Sequence, residues 1–404
     1  MSERKGLKIT LLAHDIGANL MRARSIASIL VKNYEVELVT IVPPGSKETV
    51  ADYFGDLPVT CHNIAASHYP HFLETVREVR RAISGDVIYA LKLRPGSFGV
   101  ALLERLKKDR RPVLLDVDDW ERFMCYPYSK YWVKNVAKSL RLVADPNSYI
   151  HTWLVEFFAR QADNVTNVSQ FFQRRYGGVL LPNGCDTDRF NPDNFNRQSL
   201  RQEWGIDKYK VIMFLGTADP YKGASEIAQA LQLLKRPDLR LVIVGRHNEF
   251  VDQLLAQYSN VFYWGMHPPT KSPEFLRMAD LVVLPQANLP HAAGQMPMKM
   301  FEAMAMELPV IATPMADIKE VLKGGGRVAE SNRPEDIATQ IEWVLAHPNE
   351  SRAMGQAARQ RCEQFYSWNA MGRVLDQVLA PYNSADGGYF DPSSIQDNYD
   401  LSVI

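Results

Sequence analysis

The chain has 404 residues, with 46 Lys plus Arg against 46 Asp plus Glu, 46% hydrophobic residues and 23% charged ones. That length predicts two or three domains with sizeable cores, and the composition excludes a disordered or fibrous protein and a whole-chain polycation for duplex nucleic acid. The zero net charge is the sum of unlike halves: residues 1–184 carry 25 basic and 19 acidic groups, residues 185–404 carry 21 and 27.

Short apolar runs alternate with longer amphipathic ones, the pattern of an α/β protein with doubly wound parallel sheets. Strands are predicted at Lys8–Ala13, Glu35–Val42, Val59–Ile64, Asp86–Ala90, Pro112–Val117, Asn164–Asn167 and Val179–Leu181. Helices are predicted between them, for example at Ala18–Lys32 and His71–Ser84. After the turn-rich stretch Leu181–Pro192 the pattern restarts, with strands at Lys210–Gly216, Arg240–Val244, Val261–Trp264, Asp280–Leu284 and Pro309–Ala312. Its helices are predicted at Ala224–Leu234, Ser272–Ala279, Met298–Met306 and Pro334–His347. This places domains at 1–184 and 185–368, a last helix at 369–382, and an acidic mobile tail at 383–404 that supplies four of the second half's excess negative charges.

The four cysteines (Cys61, Cys125, Cys185, Cys362) lack metal-ligand spacing, which favours structural thiols in a reducing compartment. The apolar run Ile9–Ala13 is short for a signal sequence, and no run approaches the roughly 18 apolar residues of a membrane span. The expectation is a cytoplasmic protein, with peripheral attachment to the inner face of a membrane as a variant. Asn164-Val-Thr and Asn167-Val-Ser match a glycosylation pattern by chance.

Five constellations carry chemistry. His14–Asn19 follows the first strand, and Gly17 there reads either as an ordinary turn or as a phosphate-facing loop. Asp116, Asp118 and Asp119 crowd three carboxylates at a strand end, which raises at least one pKa. They read as proton acceptors, hydroxyl or metal ligands, or helix caps. Lys130, Lys134, Lys138 and Arg141 recur on one helix face, either a solvated face or a contact for anionic lipid. A second basic cluster lies at Arg105–Arg111. Gly216, Lys222 and Gly223 leave a strand and enter a helix, where free N–H groups, the dipole and an ammonium suit an anion. Lys299 falls in the first turn of a helix behind Pro297, with Glu302 one turn on; the two read as a surface pair or as a cation with a carboxylate for paired ribose hydroxyls.

In order and spacing these motifs resemble the retaining glycosyltransferases of GT-B fold, group 1 or GT4 family. The matching segments are Leu181-Pro-Asn-Gly-Cys-Asp-Thr-Asp-Arg-Phe, Phe214-Leu-Gly through Lys222-Gly223, Leu241–Gly245, Val261–Leu284, Phe301-Glu302-Ala-Met-Ala with Leu308–Ala312, and Phe365–Trp368. The resemblance implies two Rossmann-like doubly wound domains facing across a cleft, the first for an acceptor and the second for a nucleotide-diphosphate sugar. It implies transfer to an acceptor hydroxyl with retained configuration, with no metal or other cofactor and no nucleic acid, and it leaves an anionic membrane surface as a further partner. Implied donor contacts are Gly17, Gly216, Lys222, Gly223, Arg246, Gly294, Gln295, Lys299 and Glu302, with Lys222 also catalytic. Thr217 stands where the family usually has Arg, and Gly294 where it has the first of two glutamates; Pro297, Lys299 and Glu302 fit a P-x-K-x-x-E branch. Asp118 or Asp119 replaces the usual acceptor-side His. The remaining readings are a nucleotide-sugar epimerase of the same fold and a non-catalytic binding protein.

Overall fold

The computed structural model describes residues 6–16, 20–46, 49–124 and 144–383. Gly17, the stretch holding Lys130, Lys134, Lys138 and Arg141, and the acidic tail after Asn383 lie outside the described residues. The described chain forms two compact units. The first takes the described residues of Met1–Pro182, Ala293–Gln295 and Met371–Ile404; the second takes Asn183–Ala292 and Met296–Ala370.

The first unit is built on seven strands: β1 (Lys8–Ala13), β2 (Glu35–Val42), β3 (Thr60–Ala65), β4 (Val87–Leu91), β5 (Val113–Val117), β6 (Asn164–Asn167) and β7 (Val179–Leu180). They lie parallel in the order β3-β2-β1-β4-β5-β6-β7. Every residue of β4 and β5 is buried. Helices cover both faces of such strands, so their sequences run apolar rather than alternating. Asn164 and Asn167 are buried on β6, closing both glycosylation-like sites to modification.

Asp116 on β5 is an anchor. Arg22, on the helix Leu20–Leu30, donates to its two carboxylate oxygens at 2.9 and 2.8 Å and to the carbonyls of Leu181 and Pro182 at 2.9 and 3.1 Å. Thr166 donates to the same carboxylate at 2.7 Å. A buried pair satisfied on both sides fixes one arrangement, because removing either partner strands a charge at a cost of about 3–5 kcal/mol. The end of the last helix, Trp368–Asn383, belongs to this unit, where Asp376 accepts from the Tyr34 hydroxyl at 3.0 Å.

The second unit has six parallel strands: β8 (Lys210–Leu215), β9 (Leu239–Val244), β10 (Val261–Tyr263), β11 (Leu281–Leu284), β12 (Val310–Ala312) and β13 (Gly326–Val328). Their order is β10-β9-β8-β11-β12-β13. Its core joins Phe214, Leu241, Ile243 and Val283 to the helices Ala224–Leu234 and Pro334–Ala346. Strand β13 has no counterpart in the sequence reading: three partly buried residues behind Gly324 and Gly325 make no apolar run. In each sheet the winding reverses next to the first strand, between β1 and β4 and between β8 and β11. Doubly wound sheets bind ligands at the carboxyl ends of the strands at that point.

Candidate functional site

In the second unit, Gly216 turns the chain out of β8 with φ +102°, and Gly223 leads into the helix Ala224–Leu234 with φ +84°. A Cβ on Gly223 would sit 2.5 Å from the Pro285 carbonyl oxygen just beyond β11. Only glycine lets this loop close on β11 at the reversal point. Between the glycines, Lys222 donates to the Thr217 carbonyl at 3.1 Å and pairs with Asp219 at 2.8 Å. Its ammonium is held by its own loop. Arg246 is exposed after β9.

The helix Met298–Ala305 begins behind Pro297 and carries Lys299 and Glu302 one turn apart. Lys299 Nζ lies 4.2 Å from the centre of the Phe214 ring. Burial, reinforced by the charge of Lys222, lowers the Lys299 pKa to about 7 against the pull of Glu302 and Asp219. Burial raises Glu302 to about 7, against the opposing charges of Arg189 and Lys299. An ammonium so destabilised gains from any nearby anion, and a carboxylate so placed gains from hydroxyl donors. The surface-pair reading of Lys299 and Glu302 therefore gives way to a partly buried, charge-strained pair. The sequence reading missed Arg189 and Asp219. Arg189 falls in the turn-rich stretch before Pro192, where it reads only as a loop residue, yet its charge acts on Glu302.

In the first unit the three crowded aspartates separate. Asp116 faces Arg22, while Asp118 and Asp119 meet Lys92, directly after β4, at 2.9 and 2.7 Å. Lys92 also lies 3.0 Å from Glu121, which pairs in turn with Arg94. Lys92 is buried and has φ +77°, an uncommon backbone state for a non-glycine residue. Burial raises Asp118 to about 7, helped by the charges of Asp119 and Glu121 and opposed by Lys92. Burial acts to raise Glu121 too, but Arg94 and Lys92 overcome it and hold that carboxyl at about 2. Such a split leaves one carboxyl able to exchange a proton near neutrality beside one that stays ionised. Asp118, Asp119 and Glu121 also present oxygens within 4.8 Å of one another, a spacing open to a metal ion. Here the Lys92 ammonium supplies a positive charge to all three. Lys92 and Glu121 escaped the sequence reading, although a lysine at the end of the strand beside the reversal point was a usable signal.

Gly294 and Gln295 belong to this first unit rather than with Lys222, Lys299 and Glu302. A Cβ on Gly294 would lie 2.4 Å from Phe172 and 2.7 Å from Phe171, and its carbonyl accepts from Ser169 at 2.8 Å. Packing explains why no glutamate stands there. Gln295 donates to Asp119 at 2.6 Å. The basic cluster Arg105–Arg111 is partly neutralised: Arg105 pairs with Asp163 at 2.7 Å and Lys107 with the buried Glu104 at 2.5 Å.

Two parallel sheets of seven and six strands, each reversing beside its first strand, define the GT-B fold. The same fold is seen in Anabaena Alr3699/HepE in complex with UDP and glucose, which matches with a TM-score of 0.71 at 16% identity over 93% of this chain and 99% of that one. Residues 196–361 match the family Glycosyl transferases group 1. It is 29% identical over 275 residues to the GDP-mannose-dependent alpha-(1-6)-phosphatidylinositol monomannoside mannosyltransferase of Mycolicibacterium smegmatis, covering 60% of this chain and 71% of that protein. It is also 29% identical over 228 residues to the D-inositol 3-phosphate glycosyltransferase of Segniliparus rotundus, covering 53% of this chain and 48% of that protein.

Proposed function

We propose that the protein transfers a sugar from a nucleotide-diphosphate sugar to a hydroxyl of a glycan, glycolipid or small molecule, with retention of configuration, as a GT4-type enzyme. The observation that carries this reading is the joining of Lys222, Lys299 and Glu302 in the second unit, beside the reversal of its sheet. UDP and GDP-mannose in the names of the matched proteins agree with a nucleotide donor.

In this mechanism the loop Gly216–Gly223 presents backbone N–H groups to the diphosphate, and Glu302 accepts from the ribose hydroxyls. As the glycosidic bond breaks, negative charge grows on the leaving diphosphate. Lys222 and Lys299 stabilise it without a metal, and cations fixed in a water-poor site act most strongly on charge that develops late. Arg246 offers a further cation. Asp118 and Asp119 hold and orient the acceptor hydroxyl on the first unit, while Gly294 and Gln295 bear on the donor sugar through the backbone and the contact to Asp119. Retention follows from same-face attack, with a leaving phosphate oxygen taking the acceptor proton. The Lys130–Arg141 stretch meets an anionic acceptor or membrane surface in this reading.

The test is incubation with UDP-, GDP-, ADP- and dTDP-sugars, with nucleotide release and product configuration followed by NMR. Release from one donor with a retained product is expected. An inverted product refutes the retaining mechanism, and epimerised donor without release favours the epimerase reading. Failure to bind any donor refutes both.

A further inference from the structure

The helix Tyr149–Phe157, in the first unit, has an apolar face that is not buried among the described residues. Ile150, Trp153, Leu154, Phe157 and Phe158 are exposed, Phe157 at 74%. Their spacing of three, one, three and one places them on one side of the helix. Single exposed apolar residues are ordinary on a soluble surface, but five side by side on one stripe are not.

Beside the stripe lies a pocket of about 310 Å³ lined by Arg122, Arg160 and Arg175 with Trp153, Phe157 and Tyr176. Its floor is organised by Glu156. Arg175 donates to Glu156 at 2.9 Å, Arg122 pairs with it at 3.3 Å, and Tyr176 donates to it at 2.9 Å. Arg160 reaches the Arg175 carbonyl at 3.3 Å, which brings a third guanidinium to the rim. Arg122 and Arg175 share the Glu156 carboxylate and Arg160 stands beside them, so three guanidiniums around one carboxylate leave a formal excess of two positive charges, and the exposed Arg174 adds another at the same helix end. Guanidinium groups match phosphate oxygens in geometry and charge.

We propose that this face of the first unit docks on an anionic phospholipid membrane, with the pocket seating a lipid phosphate and Trp153, Leu154 and Phe157 inserted among the acyl chains below it. Aromatic side chains next to arginines suit the headgroup boundary, where one end is apolar and the other wet. The charge excess selects anionic over neutral lipid. The site is tied to the aspartate cluster through one residue. The Trp120 ring, adjacent in sequence to Asp119, lies 4.6 Å from the Arg175 guanidinium. The surface stands apart from the transfer reading.

The experiment is co-sedimentation of the full chain with vesicles of phosphatidylcholine alone, or of phosphatidylcholine mixed with phosphatidylglycerol, with no nucleotide sugar present. The protein is expected to pellet only with the mixed vesicles, and less at high salt. Leu154→Glu/Phe157→Glu and, separately, Arg160→Glu/Arg174→Glu are each expected to weaken binding by about tenfold or more. All four side chains are exposed, so unchanged melting temperatures will show that the fold is kept. Absence of pelleting by the unsubstituted chain overturns the proposal, as does equal pelleting of the Leu154→Glu/Phe157→Glu chain. Loss of binding on Lys130→Ala/Lys134→Ala/Lys138→Ala alone moves the contact elsewhere and also overturns it. A dimer in velocity sedimentation that Phe157→Glu dissociates, without vesicle binding, assigns the stripe to a second copy instead. Failure here leaves donor turnover untouched, because the assay contains no donor.

Discussion

Nucleoside diphosphate binding should take up protons, and the sign should depend on Lys299. With a pKa of about 7, Lys299 is about one-quarter protonated at pH 7.5 in the free protein. A bound diphosphate that lifts it to about 9 or above would leave it almost fully protonated, an uptake of about 0.7 proton. Glu302, also near 7, is about one-quarter protonated at that pH and would lose this share on accepting ribose hydroxyls, a release of about 0.2 proton. The net is an uptake of about 0.5 proton per nucleotide, and linkage then makes affinity fall about fivefold between pH 7 and 8.5. Titration calorimetry of UDP or GDP in two buffers of different ionisation enthalpy reads the number directly. Lys299→Arg, charged throughout, should reverse the sign and leave only the release from Glu302. Zero exchange in the unsubstituted protein, or the same uptake in Lys299→Arg, would refute the reasoning.

Other substitutions test neighbouring parts of the structure. Glu302→Ala should weaken nucleotide binding by about 1.5–3 kcal/mol, the worth of hydrogen bonds to a charged acceptor, and unchanged calorimetric affinity would remove its assigned role. Lys92→Met leaves Asp118, Asp119 and Glu121 without their shared cation and should cost about 3 kcal/mol or more at pH 7 in denaturant unfolding. That deficit should shrink as pH falls, because carboxyls lacking Lys92 have raised folded-state pKa values and protonate readily; a deficit independent of pH would count against the pairing. Gly223→Ala must hold a Cβ against Pro285 in a left-handed backbone state and should lower stability by about 2 kcal/mol, read by thermal unfolding. Gly294→Glu, which introduces the acid usual in the family, should lower the melting temperature by collision with Phe171 and Phe172; a gain in turnover would show that the packing argument is wrong.

The sequence by itself determined the two α/β units and most of their strands. Runs such as Glu35–Val42 and Lys210–Leu215 are buried on both faces, so their apolar character survives in one dimension. It also located the glycine-flanked loop at Lys222 and the Pro297–Glu302 segment, because turns and helix starts are chemically local. The tertiary structure alone decided which charges meet. Asp116 and Asp118 are two residues apart, a spacing that keeps side chains on one face of a continuing strand, but β5 ends at Val117, so Asp116 meets Arg22 while Asp118 meets Lys92, 26 residues away in sequence. Gly294 and Gln295 read as neighbours of Glu302 along the chain, yet folding packs them with Phe172 and Asp119. The aromatic stripe at Ile150–Phe158 had the spacing of a core face, and only solvent exposure separates a core face from a docking face. Partners of buried charge and the fate of apolar surface are set by contacts between distant segments, which local pattern does not encode.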